Sequence, residues 1–146
     1  KVLKLNFFNP ELTMSKGNYT ILKPSRLENI DINKGINYLN KLNAYNHTQG
    51  IIIRKGVVVG KETSKGTKKM IQKLKKVKNI NSIMIKFPKK KQDLRVDLPT
   101  IGLETLKDCK KTNIKGIVLK SKRNIILDKK ECINFANKNK IFITVK

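Results

Sequence analysis

The chain has 146 residues, with 34 Lys and Arg against 10 Asp and Glu, and a formal net charge of +24. This length suits one compact domain, and a hydrophobic content of 38% with short β-branched runs argues against a disordered chain. No apolar run approaches the roughly 18 to 20 residues that a membrane-spanning helix requires.

The positive charge favours a polyanionic partner, either nucleic acid or an anionic lipid surface. The lysines are scattered along the chain, and the three Tyr and five Phe residues form no stacking platform for bases. No specific nucleic-acid partner is therefore predicted.

The first half of the chain predicts three helices and three strands. "NPELTM" is typical of a short helix with Asn9 as N-cap, and "SRLENIDINKGINYLNKLN" carries a Ser25–Glu28 capping pattern before a helical apolar stripe. "QGIIIRK" and "GVVVGKE" predict a hairpin or two buried strands. "GTKKMIQKLKKVK" predicts a helix with four apolar residues on one face, and "SIMIKF" a strand. The four are Met70, Ile71, Leu74 and Val77.

The second half begins with "PKKKQDLRVDLPTIG", a long polar connection without a helix or strand pattern. A helix ("LETLKDCKK") and two strands ("KGIVLK" and "RNIILD", joined by a tight turn) follow it. Asp128 and Glu131 predict an N-terminal cap for the helix "KKECINFANKNK", with Cys132, Ile133, Phe135 and Ala136 on its buried face. "IFITV" closes the chain as a strand.

This order predicts an α/β fold, with a mixed sheet and helices packed on it in a single layered domain. The sheet must be mixed because the two tight strand–strand connections predict antiparallel pairs. Cys109 and Cys132 fall on predicted helices without a CxxC pair, which predicts packed, reduced thiols.

The polar connection carries the clearest candidate chemistry. Asp93 and Asp97 could hold Mg²⁺ or supply a general base, Arg95 could bind phosphate, and Gln92 adds a neutral donor and acceptor. The alternative is that both carboxylates merely pair with Arg95 and nearby lysines to fix the loop.

A second candidate is the predicted helix start at Gly66 and Thr67. Backbone N–H groups there could bind an anion with help from Lys65 and Lys68. The alternative is an ordinary strand-to-helix turn.

The motif "QDLRVDLPTIG", followed by a helix and by "KGIVLKSKRNIILDKKECINFANKNKIFITV", resembles the C-terminal domain of the LpxI-type UDP-2,3-diacylglucosamine pyrophosphatases. The upstream "HTQGIIIRKGVVVGKETSKGTKKMI" is similar to the same family, so the resemblance covers essentially the whole chain. It implies that residues 1–24 are the end of an absent N-terminal domain and a linker, and that 25–146 are the catalytic-type domain.

The resemblance implies a Mg²⁺-dependent hydrolase of lipid A biosynthesis, cytoplasmic and peripheral to the inner membrane. Its substrate would be the UDP-linked diacylglucosamine lipid, cleaved to UMP and 2,3-diacylglucosamine 1-phosphate with help from the N-terminal domain of the same protein. A family aspartate falls within 93–97, which implies catalytic roles for Asp93 or Asp97 with Arg95.

The same resemblance implies roles for residues outside the catalytic motif. Glu62 joins Asp93 and Asp97 as a candidate metal ligand. The implied substrate-binding residues are Gln92, Gln49, Lys86, Gly66 and Thr67.

The sequence also departs from the family pattern. Lys65 and Lys68 stand where acidic residues are usual, and three lysines at 89–91 replace a K-P-G sequence. These changes keep open an alternative function, a non-catalytic module that binds a nucleotide or a phospholipid.

Overall fold

The computed structural model describes residues 10–43, 46–89 and 97–146. After a 3-10 turn at Pro10–Leu12, the helices are α1 (Arg26–Lys41), α2 (Gly66–Gln72), α3 (Leu103–Lys111) and α4 (Lys129–Lys138). The strands are β1 (Gly17–Asn18), β2 (Gly50–Arg54), β3 (Val57–Lys61), β4 (Ser82–Lys86), β5 (Thr100–Ile101), β6 (Ile114–Leu119), β7 (Ile125–Ile126) and β8 (Phe142–Val145).

Six strands form the main sheet in the order β1-β8-β6-β4-β2-β3. The central strands β4, β6 and β8 are parallel, whereas β2 is antiparallel to β4, β3 to β2, and β1 to β8. The predicted α/β domain with a mixed sheet is therefore confirmed. The boundary predicted at residue 24 stays a prediction, although β1 at residues 17–18 already belongs to the sheet.

Each face of the sheet has its own apolar core. Helix α1 covers one face, where Ile32 and Leu39 pack with Ile51, Ile85 and Phe142. Helices α2, α3 and α4 cover the opposite face, in a larger cluster that includes Met70, Ile71, Leu106, Cys109, Cys132 and Ala136. The central strands are buried on both faces, which explains why their sequences read as continuous apolar runs.

Helix α1 begins as its sequence predicts. Ser25 Oγ accepts a hydrogen bond from the Glu28 amide at 3.3 Å, and Glu28 Oε2 accepts one from the Ser25 amide at 2.7 Å. This reciprocal capping box satisfies two N–H groups that the helix itself leaves without partners. The predicted buried face is confirmed by Ile32 and Leu39.

Strands β2 and β3 form a hairpin, which decides between the two alternatives that the sequence allows. Lys55 and Gly56 have φ values of 47° and 76°, the left-handed conformation that tight two-residue hairpins require at both positions. Strand β3 consequently lies at the edge of the sheet.

The predicted hairpin of "KGIVLK" with "RNIILD" is wrong. Strand β7 pairs in parallel with β5, in a separate two-stranded sheet, because β6 already has β4 on one side and β8 on the other. The turn is held by distant residues: the Ser121 amide donates to the Lys146 carbonyl at 2.7 Å, and the Lys122 amide to the Met14 carbonyl at 2.9 Å. The polar connection correspondingly ends in strand β5, which the sequence pattern did not predict.

Two helix predictions also need correction. Helix α2 ends at Gln72, so Leu74 and Val77 of the predicted apolar face lie outside it. Lysines at 69, 73 and 76 would repel one another at helical spacing, and Arg54 Nη2 binds the Lys75 carbonyl at 2.9 Å. Asp128 precedes α4 but makes no side-chain cap, because its left-handed backbone (φ 48°, ψ 52°) differs from the extended conformation of a capping residue. On α4, Ile133 and Phe135 are only half-buried. Asn9, the other predicted cap, lies outside the described residues.

Gly116 on β6 lies directly beneath the ring of its cross-strand partner Phe142 on β8. A Cβ atom at position 116 would lie 2.0 Å from Cζ of this fully buried ring. We expect Gly116→Ala to lower the free energy of unfolding by about 1–3 kcal/mol through overpacking, as measured by urea denaturation.

The double variant Gly116→Ala/Phe142→Leu provides the control. Because leucine removes the ring that the new methyl group meets, the double variant should lose less stability than the sum of the two single changes. If the losses of the two single variants simply add, the Phe142 ring is not what excludes a larger side chain at position 116.

Candidate functional site

The candidate site lies at the carboxyl edge of the central strands. Lys86 is the last residue of β4, and Glu62 directly follows β3, which runs in the same direction as β4. Helix α2 begins nearby with Gly66 and Thr67. Ligands of open α/β sheets bind at this edge of the strands, because the loops that follow them supply polar side chains.

The site contains a buried ion pair between strands. Lys86 Nζ lies 3.2 Å from Glu62 Oε2 and 3.4 Å from Oε1, and it also donates to Thr67 Oγ1. Lys86 is 4% exposed and Glu62 8% exposed. The three N–H donors of the ammonium thus have three acceptors, which satisfies a charge that would be costly to bury alone.

Backbone contacts fix the Glu62 segment against β2. The Glu62 amide donates to the Gly50 carbonyl at 2.8 Å, and the Thr48 hydroxyl donates to the Glu62 carbonyl at 3.3 Å. On the other side of β2, the Phe87 amide donates to the Gln49 carbonyl at 2.8 Å. The Gln49 backbone therefore lies next to the end of β4, where Lys86 holds Glu62.

Gly50 leaves the space that the Glu62 carboxylate occupies. A Cβ atom at position 50 would lie 2.6 Å from Glu62 Oε2, well inside van der Waals contact. We expect Gly50→Ala to displace this carboxylate from Lys86 and to lower the free energy of unfolding by about 1–3 kcal/mol, measured by thermal denaturation.

The same substitution in a Glu62→Ala background tests this cause. Without the carboxylate, the added methyl group faces mainly the flexible end of Met70, 3.4 Å away. The extra loss of stability should then be small, and an undiminished loss would contradict the steric explanation.

Gly66 has a φ of +82°, a left-handed conformation that favours glycine. Its amide donates to the Thr63 carbonyl at 2.9 Å, so this N–H already has a protein partner. Among the helix-start residues that the sequence singled out, Thr67 is the one whose side chain contacts the ion pair.

The polar connection starts from the same edge. It leaves β4 after Lys86 and ends at Pro99, whose carbonyl accepts hydrogen bonds from the Ile125 amide at 2.9 Å and from Asn124 Nδ2 at 3.4 Å. Asp97 is exposed. Gln92, Asp93 and Arg95 lie outside the described residues.

The described residues do not by themselves make a divalent-cation site. Both oxygens of Glu62 contact the Lys86 ammonium, and Asp97 is exposed. Within residues 10–43, 46–89 and 97–146, no three His, Cys, Asp or Glu side chains are grouped as metal ligands. Ion pairing therefore competes with the metal role that the resemblance implied for Glu62.

The two cysteines do not supply a nucleophile. Both thiols are buried, on α3 and α4, as predicted. Burial raises the pKa of Cys132 to about 11, and it raises the pKa of Cys109 further still. Both thiols are therefore neutral near pH 7.

The fold and the site together define an α/β domain whose polar cluster lies at the carboxyl edge of a mixed sheet. The family model described as the LpxI C-terminal domain matches residues 15–144. This match covers most of the chain, and the chain belongs to the LpxI C-terminal domain family.

A curated relative gives the same result. The chain is 26% identical over 141 residues to UDP-2,3-diacylglucosamine pyrophosphatase LpxI of Caulobacter vibrioides, in an alignment that covers 91% of the chain and 50% of the relative. The chain thus spans about half the length of the curated relative that it matches. No helix among the described residues is long and apolar enough to cross a membrane.

Proposed function

We propose that this chain is the C-terminal domain of a UDP-2,3-diacylglucosamine pyrophosphatase. It would hydrolyse the pyrophosphate bond of that lipid to give UMP and 2,3-diacylglucosamine 1-phosphate, in lipid A biosynthesis. The observation that carries the proposal is the family match over residues 15–144. Since the similar Caulobacter protein is about twice as long, the activity is proposed to need an N-terminal domain of the same protein.

The reaction requires a base and a means of stabilising negative charge. Water attacks one phosphorus atom, the bond from that phosphorus to the bridging oxygen breaks, and the second phosphate leaves with this oxygen. Asp93 or Asp97 is suited to accept the proton of the attacking water, and the Arg95 guanidinium can donate two parallel hydrogen bonds to phosphate oxygens.

The carboxylates of Asp93 and Asp97 are the groups that would hold the Mg²⁺ ion that the family resemblance implies. When bound, such an ion neutralises charge on phosphate oxygens. Gln92, Gln49, Gly66 and Thr67 remain the proposed substrate-binding residues.

The buried ion pair is proposed to shape the floor of this site. Because the Lys86 donors are matched by Glu62 and Thr67, Lys86 holds Glu62 in one position between β3 and β4. The polar connection with Asp93 starts directly after this fixed point, so the pair ties the start of the connection to β2 and α2.

We also propose that the domain acts at the cytoplasmic surface of the inner membrane. The substrate is a lipid, and the net charge of +24 favours an anionic membrane surface. No nucleic-acid partner is proposed.

A non-catalytic module that binds a nucleotide or a phospholipid is the second candidate. Lys65 and Lys68 at the start of α2 favour it, because they add positive charge to a first helical turn that has no acidic residue. Such a module would be stabilised by a uridine nucleotide or an anionic lipid without turnover.

Release of UMP from UDP-2,3-diacylglucosamine in detergent, with and without Mg²⁺, tests the proposal. It is measured for this 146-residue chain and for the protein that its full reading frame encodes. Mg²⁺-dependent UMP release by the longer protein is expected. Ligand-induced stabilisation without any UMP release would instead favour the binding module.

A further inference from the structure

One short segment carries most of the exposed apolar surface. Of the seven large hydrophobic side chains that are exposed in the described part of the chain, four lie within residues 21–30. Ile21 is 85% exposed, Leu22 43%, Leu27 76% and Ile30 46%. These four residues, called the 21–30 surface below, lie in the β1–α1 connection and the first turns of α1.

The position of α1 explains why this surface is uncovered. The helix packs through Ile32, Gly35 and Leu39 onto the sheet. At 100° per residue, Ile30 falls on the opposite side of the helix and Leu27 on its flank. A globular helix normally places polar residues on its solvent-facing side, so these two large apolar side chains, together with Ile21 and Leu22, suit a partner other than the described part of the chain.

Basic residues flank the apolar ones. Lys23 and Arg26 lie between Leu22 and Leu27. Lys34, farther along α1, extends instead toward Gly56 in the β2–β3 turn, where the Asp31 carboxylate also lies. The one acid within 21–30, Glu28, is held in the capping box with Ser25. Apolar side chains bordered by lysine and arginine fit the boundary between acyl chains and anionic headgroups, where both contributions add.

The overall charge favours a lipid occupant over a second copy of the chain. At a net charge of +24, two copies repel each other, whereas an anionic bilayer attracts each copy. We infer that the 21–30 surface docks this domain onto an anionic membrane, with the apolar side chains inserted and Lys23 and Arg26 at the headgroups. The inference extends the proposed function by naming the surface that meets the lipid.

Vesicle flotation tests the inference with this chain. The wild-type protein should bind vesicles of phosphatidylethanolamine and phosphatidylglycerol, and it should bind pure phosphatidylcholine vesicles much less. The variant Leu27→Glu/Ile30→Glu should bind the anionic vesicles at least about tenfold more weakly, because it loses inserted apolar area as well as two charge units.

Strand β3 offers a matched control. Val57 and Val59 are 61% and 41% exposed, close to the exposures of Leu27 and Ile30, and Val57→Glu/Val59→Glu makes the same change in net charge. This control should keep most of the vesicle affinity, and circular dichroism melting checks that both variants are folded. Equal losses in the two variants, or no wild-type binding to anionic vesicles, would overturn the inference and leave a protein partner for this surface.

Vesicle binding needs no turnover, so the result is independent of the pyrophosphatase assay. A protein that binds vesicles through the 21–30 surface and releases no UMP would contradict the proposed function alone. A protein that releases UMP and keeps full vesicle affinity in the Leu27→Glu/Ile30→Glu variant would contradict the docking surface alone.

Discussion

Replacing Lys86 with methionine is expected to lower the free energy of unfolding by about 3–5 kcal/mol. The change removes the ammonium that contacts both oxygens of Glu62 and leaves a carboxylate that is 8% exposed without its cation. A loss of this size is a large part of the roughly 5–15 kcal/mol that stabilises a typical domain. Urea denaturation at neutral pH measures it.

Two further variants test whether burial of the ion pair, and not ion pairing as such, causes this loss of stability. Lys107→Met breaks the exposed pair of Lys107 and Glu104, whose atoms lie 2.7 Å apart, and should lower the free energy of unfolding far less, because water screens exposed charges. The double variant Lys86→Met/Glu62→Gln removes both buried charges and should recover most of the lost stability. Similar effects for Lys86→Met and Lys107→Met would contradict the burial argument.

Asp93→Asn, made in the protein that the full reading frame encodes, is expected to reduce UMP release about 100- to 10,000-fold. Asparagine keeps the size of the side chain but cannot accept the proton of an attacking water. The matched variant Asp97→Asn decides which of the two aspartates in "QDLRVDLPTIG" has this role.

Asp128→Asn is the control, because Asp128 is exposed and has a left-handed backbone that asparagine also adopts. It should leave turnover unchanged. Near-normal turnover in both Asp93→Asn and Asp97→Asn would show that neither aspartate of the polar connection takes part in catalysis.

The sequence predicted those elements whose signals are local. Helix α1 has its capping box and a periodic apolar face, α3 matches "LETLKDCKK" residue for residue, and the central strands are apolar runs bounded by polar turns. Each of these signals acts over a few residues, so a single sequence contains it.

The errors came from choices that depend on distant residues. Strand β7 has the apolar sequence of a hairpin partner, yet β8, which closes the chain, occupies the free side of β6. Helix α2 ends early because Arg54, on β2, binds a carbonyl where the helix pattern would continue. Neither competition is visible in the local pattern.

The same distinction applies to the site. The family resemblance implied separate roles for Glu62 and Lys86, the first as a candidate metal ligand and the second as a substrate-binding residue. Their contact spans 24 residues and arises because β3, β2 and β4 are neighbours in the sheet. Gly50 leaves space for the Glu62 carboxylate only because β2 lies between β3 and β4, and no local sequence pattern indicates this role.

The buried pair of Lys86 and Glu62 is proposed to shape the floor of the proposed pyrophosphatase site. The most direct test is kcat/KM for UMP release by the Lys86→Met/Glu62→Gln variant of the protein that the full reading frame encodes. This variant is expected to be nearly as stable as the wild type but at least about 10- to 100-fold less active, because the floor of the site loses its fixed charges. A stable double variant with wild-type kcat/KM would contradict the claim and reduce the pair to a structural contact.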